Sequence, residues 1–230
     1  MSKQHKMQNI KTAVDAVVFG YFENRELHIL LIKRNIEPFL NSWALPGGLV
    51  KNEETLEEAI SRELNEETGI ITTFIEQLYT FGELNRDPRN RVISVAYLGL
   101  VNPKSYNLKA STDASDAQWF SINNLPNLAF DHLTIVTKAL ERLRAKIQYQ
   151  PIGFNLLKNE FAFSDLESLY QSILGREIDR RNFRKKIMSY NLLIETENLR
   201  KEGSGRPAKL FQFNQEKYQS LEQQGFYFEI

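Results

Sequence analysis

The stretch GLVKNEETLEEAISRELNEETGI, residues 48–70, constrains this chain more than any other. Thr55 and Glu58 form a T-x-x-E capping box, in which each residue satisfies an exposed backbone N–H of the other. The pattern predicts a helix from Leu56 to about Thr68, with Gly69 as a left-handed C-cap. Leu56, Ala59, Ile60 and Leu64 follow 3–4 spacing and make the buried stripe. Glu63, Glu66 and Glu67 fall at i, i+3 and i+4 and share another face. Three like charges on so short a patch repel unless a cation sits among them. A hard divalent ion, Mg²⁺ or Mn²⁺, suits such oxygen donors; the alternative is a solvated acidic face.

The spacing decides between them. Five residues separate Gly48 from Glu54 and seven more precede Arg62-Glu63-Leu64, after which Glu66-Glu67 and Gly69-Ile70 each follow one spacer. This resembles the Nudix box, G-x5-E-x7-R-E-U-x-E-E-x-G-U with U aliphatic, at every position. The resemblance implies metal ligation by Glu66 and Glu67, with Glu63 a further ligand or the general base on the attacking water. It implies that Arg62 orients the glutamates and pairs with Glu54, and that Gly48 offers its carbonyl to the metal. The implied cofactor is Mg²⁺ or Mn²⁺, which lowers the pKa of bound water and neutralises a diphosphate. The implied reaction is hydrolysis of a nucleoside diphosphate linked to another group, ADP-ribose being the first candidate.

A chain of 230 residues accommodates one large domain or two small ones. It has no cysteine, which excludes a disulfide framework and a thiolate metal site. No apolar run is long enough to cross a bilayer, and MSKQHKMQNIK has no apolar signal core, so no membrane partner and a cytoplasmic location are expected. Residues 13–22 and 27–34 read as strands joined by a polar hairpin link, and 71–84 as a long extended stretch. Residues 85–91 read as a charged turn, 92–101 as a buried strand, 102–116 as a polar loop and 117–120 as a short strand. The two loops are where ligand specificity is expected. Asp131 is expected to cap a helix from His132 to about Ile147, with Leu133, Val136, Leu140 and Leu143 inward. His132 reads better as a core contact or cap than as a catalytic group. The order predicts an α+β fold, and the resemblance implies a Nudix α/β/α sandwich.

YQPIGF, residues 149–154, reads as a boundary, dividing the chain into 1–150 and a smaller domain at 151–230. Ser164 and Glu167 form a second T/S-x-x-E box, opening a helix that stops at Gly175. Asp179 caps another from Arg180 to about Tyr190, with Phe183 and Ile187 inward and Arg180, Arg181, Arg184, Lys185 and Lys186 around the rest. Strands follow at 192–196 and 210–213, around the basic turn ENLRKEGSGRPAK. Helix, turn, basic helix and hairpin is the order of a winged helix-turn-helix, with the basic helix in the major groove and Arg206 at the wing tip. Although the whole chain is neutral, residues 176–209 hold ten basic and five acidic residues, a net +5. Such a face fits DNA phosphates, and its alternative is a solvated helix of a small interaction domain.

Together, the box, RNIEPFLNSWALPGG, NLAFDH, PIGFNLL, RRNFRKKI and GSGRPAKLFQF resemble the Nudix-related bacterial transcriptional regulators over nearly the whole chain. That resemblance implies a homodimer on operator DNA whose Nudix domain senses a nucleotide of the ADP-ribose type or a sugar such as L-arabinose. Many such regulators have degenerate boxes, whereas this one is intact. Three functions stand: a regulator that senses and hydrolyses ADP-ribose, a regulator that only senses, or a stand-alone Nudix pyrophosphohydrolase with a C-terminal assembly domain.

Overall fold

A computed structural model of the protein describes residues 9–72, 74–108, 114–201 and 207–230. In chain order it runs β1 (Lys11–Tyr21), β2 (Leu27–Arg34), β3 (Trp43–Ala44), β4 (Gly47–Leu49), α1 (Leu56–Thr68), β5 (Phe74–Phe81), β6 (Val92–Val101), β7 (Ala114–Ser121) and α2 (His132–Lys146). It continues through β8 (Phe161–Ala162), α3 (Phe163–Leu174), α4 (Arg180–Ser189), β9 (Leu193–Arg200), β10 (Ala208–Phe213) and α5 (Gln215–Gln223). The fold is α+β, as expected.

Strands β3-β2-β1-β6-β5 form the main sheet, to which β4 adds on β1 and β7 on β2. β1 and β6 are buried along almost their whole length. That is why they read as unbroken apolar runs rather than alternating ones. One charge interrupts β1: Asp15, 6% exposed. α1 starts at Thr55 and ends at Gly69 as its capping box and left-handed C-cap predict. α2 differs from expectation on its outer side: Leu133 is 58% exposed, and Ile135, Val136, Ala139 and Leu143 carry the buried stripe. Val136 and Leu143 face inward as expected and Leu140 is half-buried.

The chain divides into two compact units. One holds the chain up to Val18, Ile29–Gly99 and Tyr106–Ala139; the other holds Phe19–His28, Leu100–Ser105 and Leu140–Ile230. In the second unit β8-β10-β9 form a small sheet with α3, α4 and α5. Its core is aromatic: Phe163 meets Phe183 at 6.0 Å and Phe211 at 6.4 Å, and Tyr170 meets Phe183 at 4.9 Å. The Ser164–Glu167 box does not form. Ala162 pairs with Leu210 as the last residue of β8, so the chain passes from strand to helix without a loop. Asp165 then takes the third helical position and accepts from the Ala162 N–H at 3.0 Å. α5 and β8 are additional to the elements read from the sequence.

Candidate functional site

Two glycines bring α1 against the sheet. β4 pairs antiparallel with β1, Gly47 opposite Asp15 and Gly48 opposite Val14. Gly47 has φ +152°, and a Cβ there would stand 2.1 Å from the Val14 carbonyl oxygen. A Cβ on Gly48 would stand 2.4 Å from Glu63 Oε1. Glycine is required at 47, where backbone occupies the space of a side chain; at 48 a Cβ would displace the Glu63 carboxylate. The Gly47 N–H donates to Glu67 Oε2 at 2.8 Å, which holds that carboxylate in a buried position.

Arg62 is the cation among the α1 carboxylates. Its Nε and Nη2 donate to the two oxygens of Glu54 at 2.9 and 2.7 Å. Its Nη1 donates to Glu63 at 2.7 Å and to Glu66 at 3.2 Å. This fork answers the like-charge repulsion read from the sequence. Arg62 and the Lys51 N–H pull the Glu54 carboxyl down to about 2, and Glu54 in turn raises the Arg62 guanidinium. Glu63 goes the other way: burial lifts it above the usual carboxylate range, against the pull of Arg62. Glu66 is half exposed and shares Arg62 Nη1 with Glu63, while Glu67 is turned to the Gly47 N–H. Among the described residues no three acidic or histidine side chains converge as a metal cluster. The donor set does fit a hard divalent ion in kind, since Glu63, Glu66, Glu67 and the Gly48 carbonyl offer only oxygen.

Beside the glycine pair lies a cleft of about 80 Å³ lined by Asp15, Arg34, Arg86, Arg89 and Phe130 among others. Arg86 is buried and bridges Asp131, at 3.0 and 2.7 Å, to Asp15 at 3.2 Å. Burial works against the Arg86 charge, but the two aspartates hold its pKa above the ordinary value. Arg89 pairs with Asp87 at 2.8 Å. Arg34 donates to the carbonyls of Pro38 and Ile36 and stacks 4.9 Å over Phe130; burial and the neighbouring Arg89 lower its pKa, against the pull of Glu67, Asp87 and Asp15. His132 is buried, and its Nδ1 accepts from the Leu45 N–H at 2.8 Å, which is the core contact expected of it. Burial lowers its pKa and keeps the ring neutral, as an acceptor nitrogen requires.

Sequence reasoning missed Asp15, Arg34, Arg86, Asp131 and Phe130. Asp15 left one signal, a charge in the middle of an apolar strand. The charged turn at 85–91 does contribute Arg86, Asp87 and Arg89 to the cleft.

In the second unit Asp179 Oδ1 accepts from the N–H groups of Arg181 and Asn182, both at 3.0 Å, and so caps α4. Phe183 and Ile187 are buried as expected. Arg180, Arg181, Arg184 and Lys185 are exposed. Two arginines in the first turn oppose the helix dipole. Among the described residues Arg180, Arg181 and Lys185 have no carboxylate partner. Arg184 lies 4.4 Å over Phe163, and Lys186, partly buried, reaches Glu229 at 3.4 Å. Arg206 lies outside the described residues.

A model of the NUDIX domain matches residues 11–139, and one of the NrtR DNA-binding winged helix domain matches residues 153–213. The chain is 32% identical to the ADPR responsive transcriptional repressor NtrR of Acinetobacter baylyi, over 89% of this chain and 82% of that protein. It is 44% identical to the ADP-ribose pyrophosphatase of Methanocaldococcus jannaschii, over 54% of this chain and 69% of that one. Among solved structures it is similar to Shewanella oneidensis NrtR complexed with a 27mer DNA, with a TM-score of 0.78 and 32% identity, covering 94% of this chain and 97% of that one. No helix among the described residues is long and apolar enough to cross a membrane. An N-terminal Nudix domain joined to a C-terminal winged helix DNA-binding domain places this chain in the NrtR family of Nudix-related transcriptional regulators.

Proposed function

We propose that the chain is an ADP-ribose-responsive repressor that binds operator DNA as a homodimer and hydrolyses its effector, with the division of labour falling near residue 150. The observation that carries the reading is the charge of the cleft that adjoins a complete box: its lining holds three arginines, Arg34, Arg86 and Arg89, against two aspartates, Asp15 and Asp87, and Arg34 gives its hydrogen bonds to carbonyls. A cleft with an excess of guanidinium charge favours an anionic ligand. A neutral sugar carries no charge to meet that excess, so the nucleotide is favoured over arabinose.

In the hydrolytic step a water oxygen attacks one phosphorus and the P–O–P bridge breaks, giving AMP and ribose 5-phosphate. Glu63, with its raised pKa, is the group suited to take the water proton. Arg62 holds Glu63 and Glu54 in place. Mg²⁺ or Mn²⁺, when bound by Glu66, Glu67 and the Gly48 carbonyl, would neutralise the diphosphate and acidify water. α4 is the part that reads DNA, through Arg180, Arg181, Arg184 and Lys185, with Lys186 and Arg206 as further phosphate contacts.

The first measurement is release of AMP from ADP-ribose with Mg²⁺ or Mn²⁺, for the protein and its Glu66→Ala variant. Turnover lost in the variant supports the hydrolase. Operator retention with and without ADP-ribose follows on both proteins. Retention that ADP-ribose weakens supports the repressor, and an absence of DNA retention sinks it.

A further inference from the structure

The segment between β2 and β3 displays apolar side chains outward yet is tied down. Ile36, Phe39 and Leu40 are 46%, 40% and 46% exposed. Arg34 fastens the loop from inside through the carbonyls of Pro38 and Ile36, and backbone bonds join Asn41 N to Arg34 O and Ser42 N to Phe39 O. Phe39 and Asn41 sit at φ 66° and 64°, and Phe130, which Phe39 meets edge-on at 4.7 Å, sits at φ 52°. Left-handed backbone is costly for a bulky residue, and such strain persists where surrounding contacts hold it in place. Three such residues converge on this one patch.

A rigid aromatic surface that water can reach is arranged for a planar apolar partner. Its neighbours say what that partner is attached to. Phe130 carries the Arg34 guanidinium at 4.9 Å and that of Arg89 at 5.9 Å, and both arginines line the cleft beside Gly47 and Gly48. We propose that Phe39, buttressed by Phe130, is the stacking platform for the nucleobase of a nucleoside diphosphate whose phosphates lie toward Arg34 and Arg89. The inference rests on the nucleotide reading above and extends it, because it assigns base discrimination to a loop outside the box. Phe39 is a binding residue and takes no part in bond cleavage.

The test uses the full chain with two probes, ADP-ribose and inorganic pyrophosphate, in titration calorimetry. Operator binding serves as the check that each variant is folded. Phe39→Ala is expected to weaken ADP-ribose by about tenfold or more, the usual loss when a base loses its aromatic partner. Pyrophosphate affinity is expected to stay unchanged, and Phe39→Trp to keep or tighten ADP-ribose. Unchanged ADP-ribose binding in Phe39→Ala, or equal loss of both probes, overturns the platform and leaves the nucleotide reading intact. Binding of pyrophosphate without ADP-ribose by the unaltered protein overturns both. A smaller species in sedimentation for Phe39→Ala, with ligand binding unchanged, shows that the patch joins two copies and also overturns the platform.

Discussion

The acidic helix α1 and the basic helix α4 handle charge in opposite ways. On α1 Arg62 contacts Glu54, Glu63 and Glu66 at once, and Glu67 is held by a backbone N–H. On α4 Arg180, Arg181 and Lys185 stand exposed with no carboxylate partner among the described residues, and only the Asp179 cap steadies the first turn. The difference fits the proposed targets. A site for a small ligand gains from charges already fixed in place, since ordering them during the reaction costs rate. A surface for a polyanion gains from charges free to follow the phosphates, and its affinity falls with salt.

Breaking the packing that supports α1 has the largest expected effect. Gly47→Ala forces a Cβ onto the Val14 carbonyl oxygen at a φ that L residues rarely adopt. It should cost about 3 kcal/mol or more of unfolding free energy, as backbone strain and overpacking add. Chemical denaturation checks this; a loss under about 1 kcal/mol would show that β4 can move away from β1. Next is Arg62→Ala, which leaves three carboxylates without their shared cation. ADP-ribose turnover should fall about 10–100-fold, the usual cost of losing an orienting partner. Operator binding should survive, and parallel loss of both would mean that the two helices do not work independently.

The α4 side is sharpened by the double variant Arg180→Ala, Lys185→Ala. Turnover should be unchanged. The slope of log affinity for operator against log salt should shrink by about 2 if both side chains meet phosphates. An unchanged slope would return this helix to a solvated surface. The smallest effect concerns His132. Its folded pKa lies below the unfolded value of about 6.5 because burial disfavours the charge. Its contribution is therefore complete above that pH and is lost as pH falls toward the folded pKa. His132→Asn keeps an acceptor for the Leu45 N–H without titrating, so its stability should fall less than wild type between pH 7 and 5. Identical pH slopes would mean that other groups set the acid limit.

Legibility followed the range of the interaction. The bounds of α1 were readable because Thr55, Glu58 and Gly69 act within one turn of the helix ends. β9 was read too short: Glu197, Asn198 and Arg200 are polar, and what makes residues 197–200 a strand is pairing with β10, where Arg200 stands opposite Ala208. The Ser164–Glu167 box was a false start because the pairing of Ala162 with Leu210 begins the helix earlier. On α2 Val136 and Leu143 were read correctly as inward, whereas Leu133, in the first turn, is 58% exposed.

By itself the sequence determined the box, the capped acidic and basic helices, the order of elements and the separation of charge, because each rests on neighbours within a few positions. Only the tertiary structure decided that Asp15, Arg86 and Asp131 form one buried bridge, that Arg34 gives its hydrogen bonds to loop carbonyls, and that Phe39 and Phe130 meet beside it. Those pairings join residues up to 91 positions apart along the chain. No local propensity encodes them; they exist because burial in one cleft obliges each charge and each ring to find its partner there.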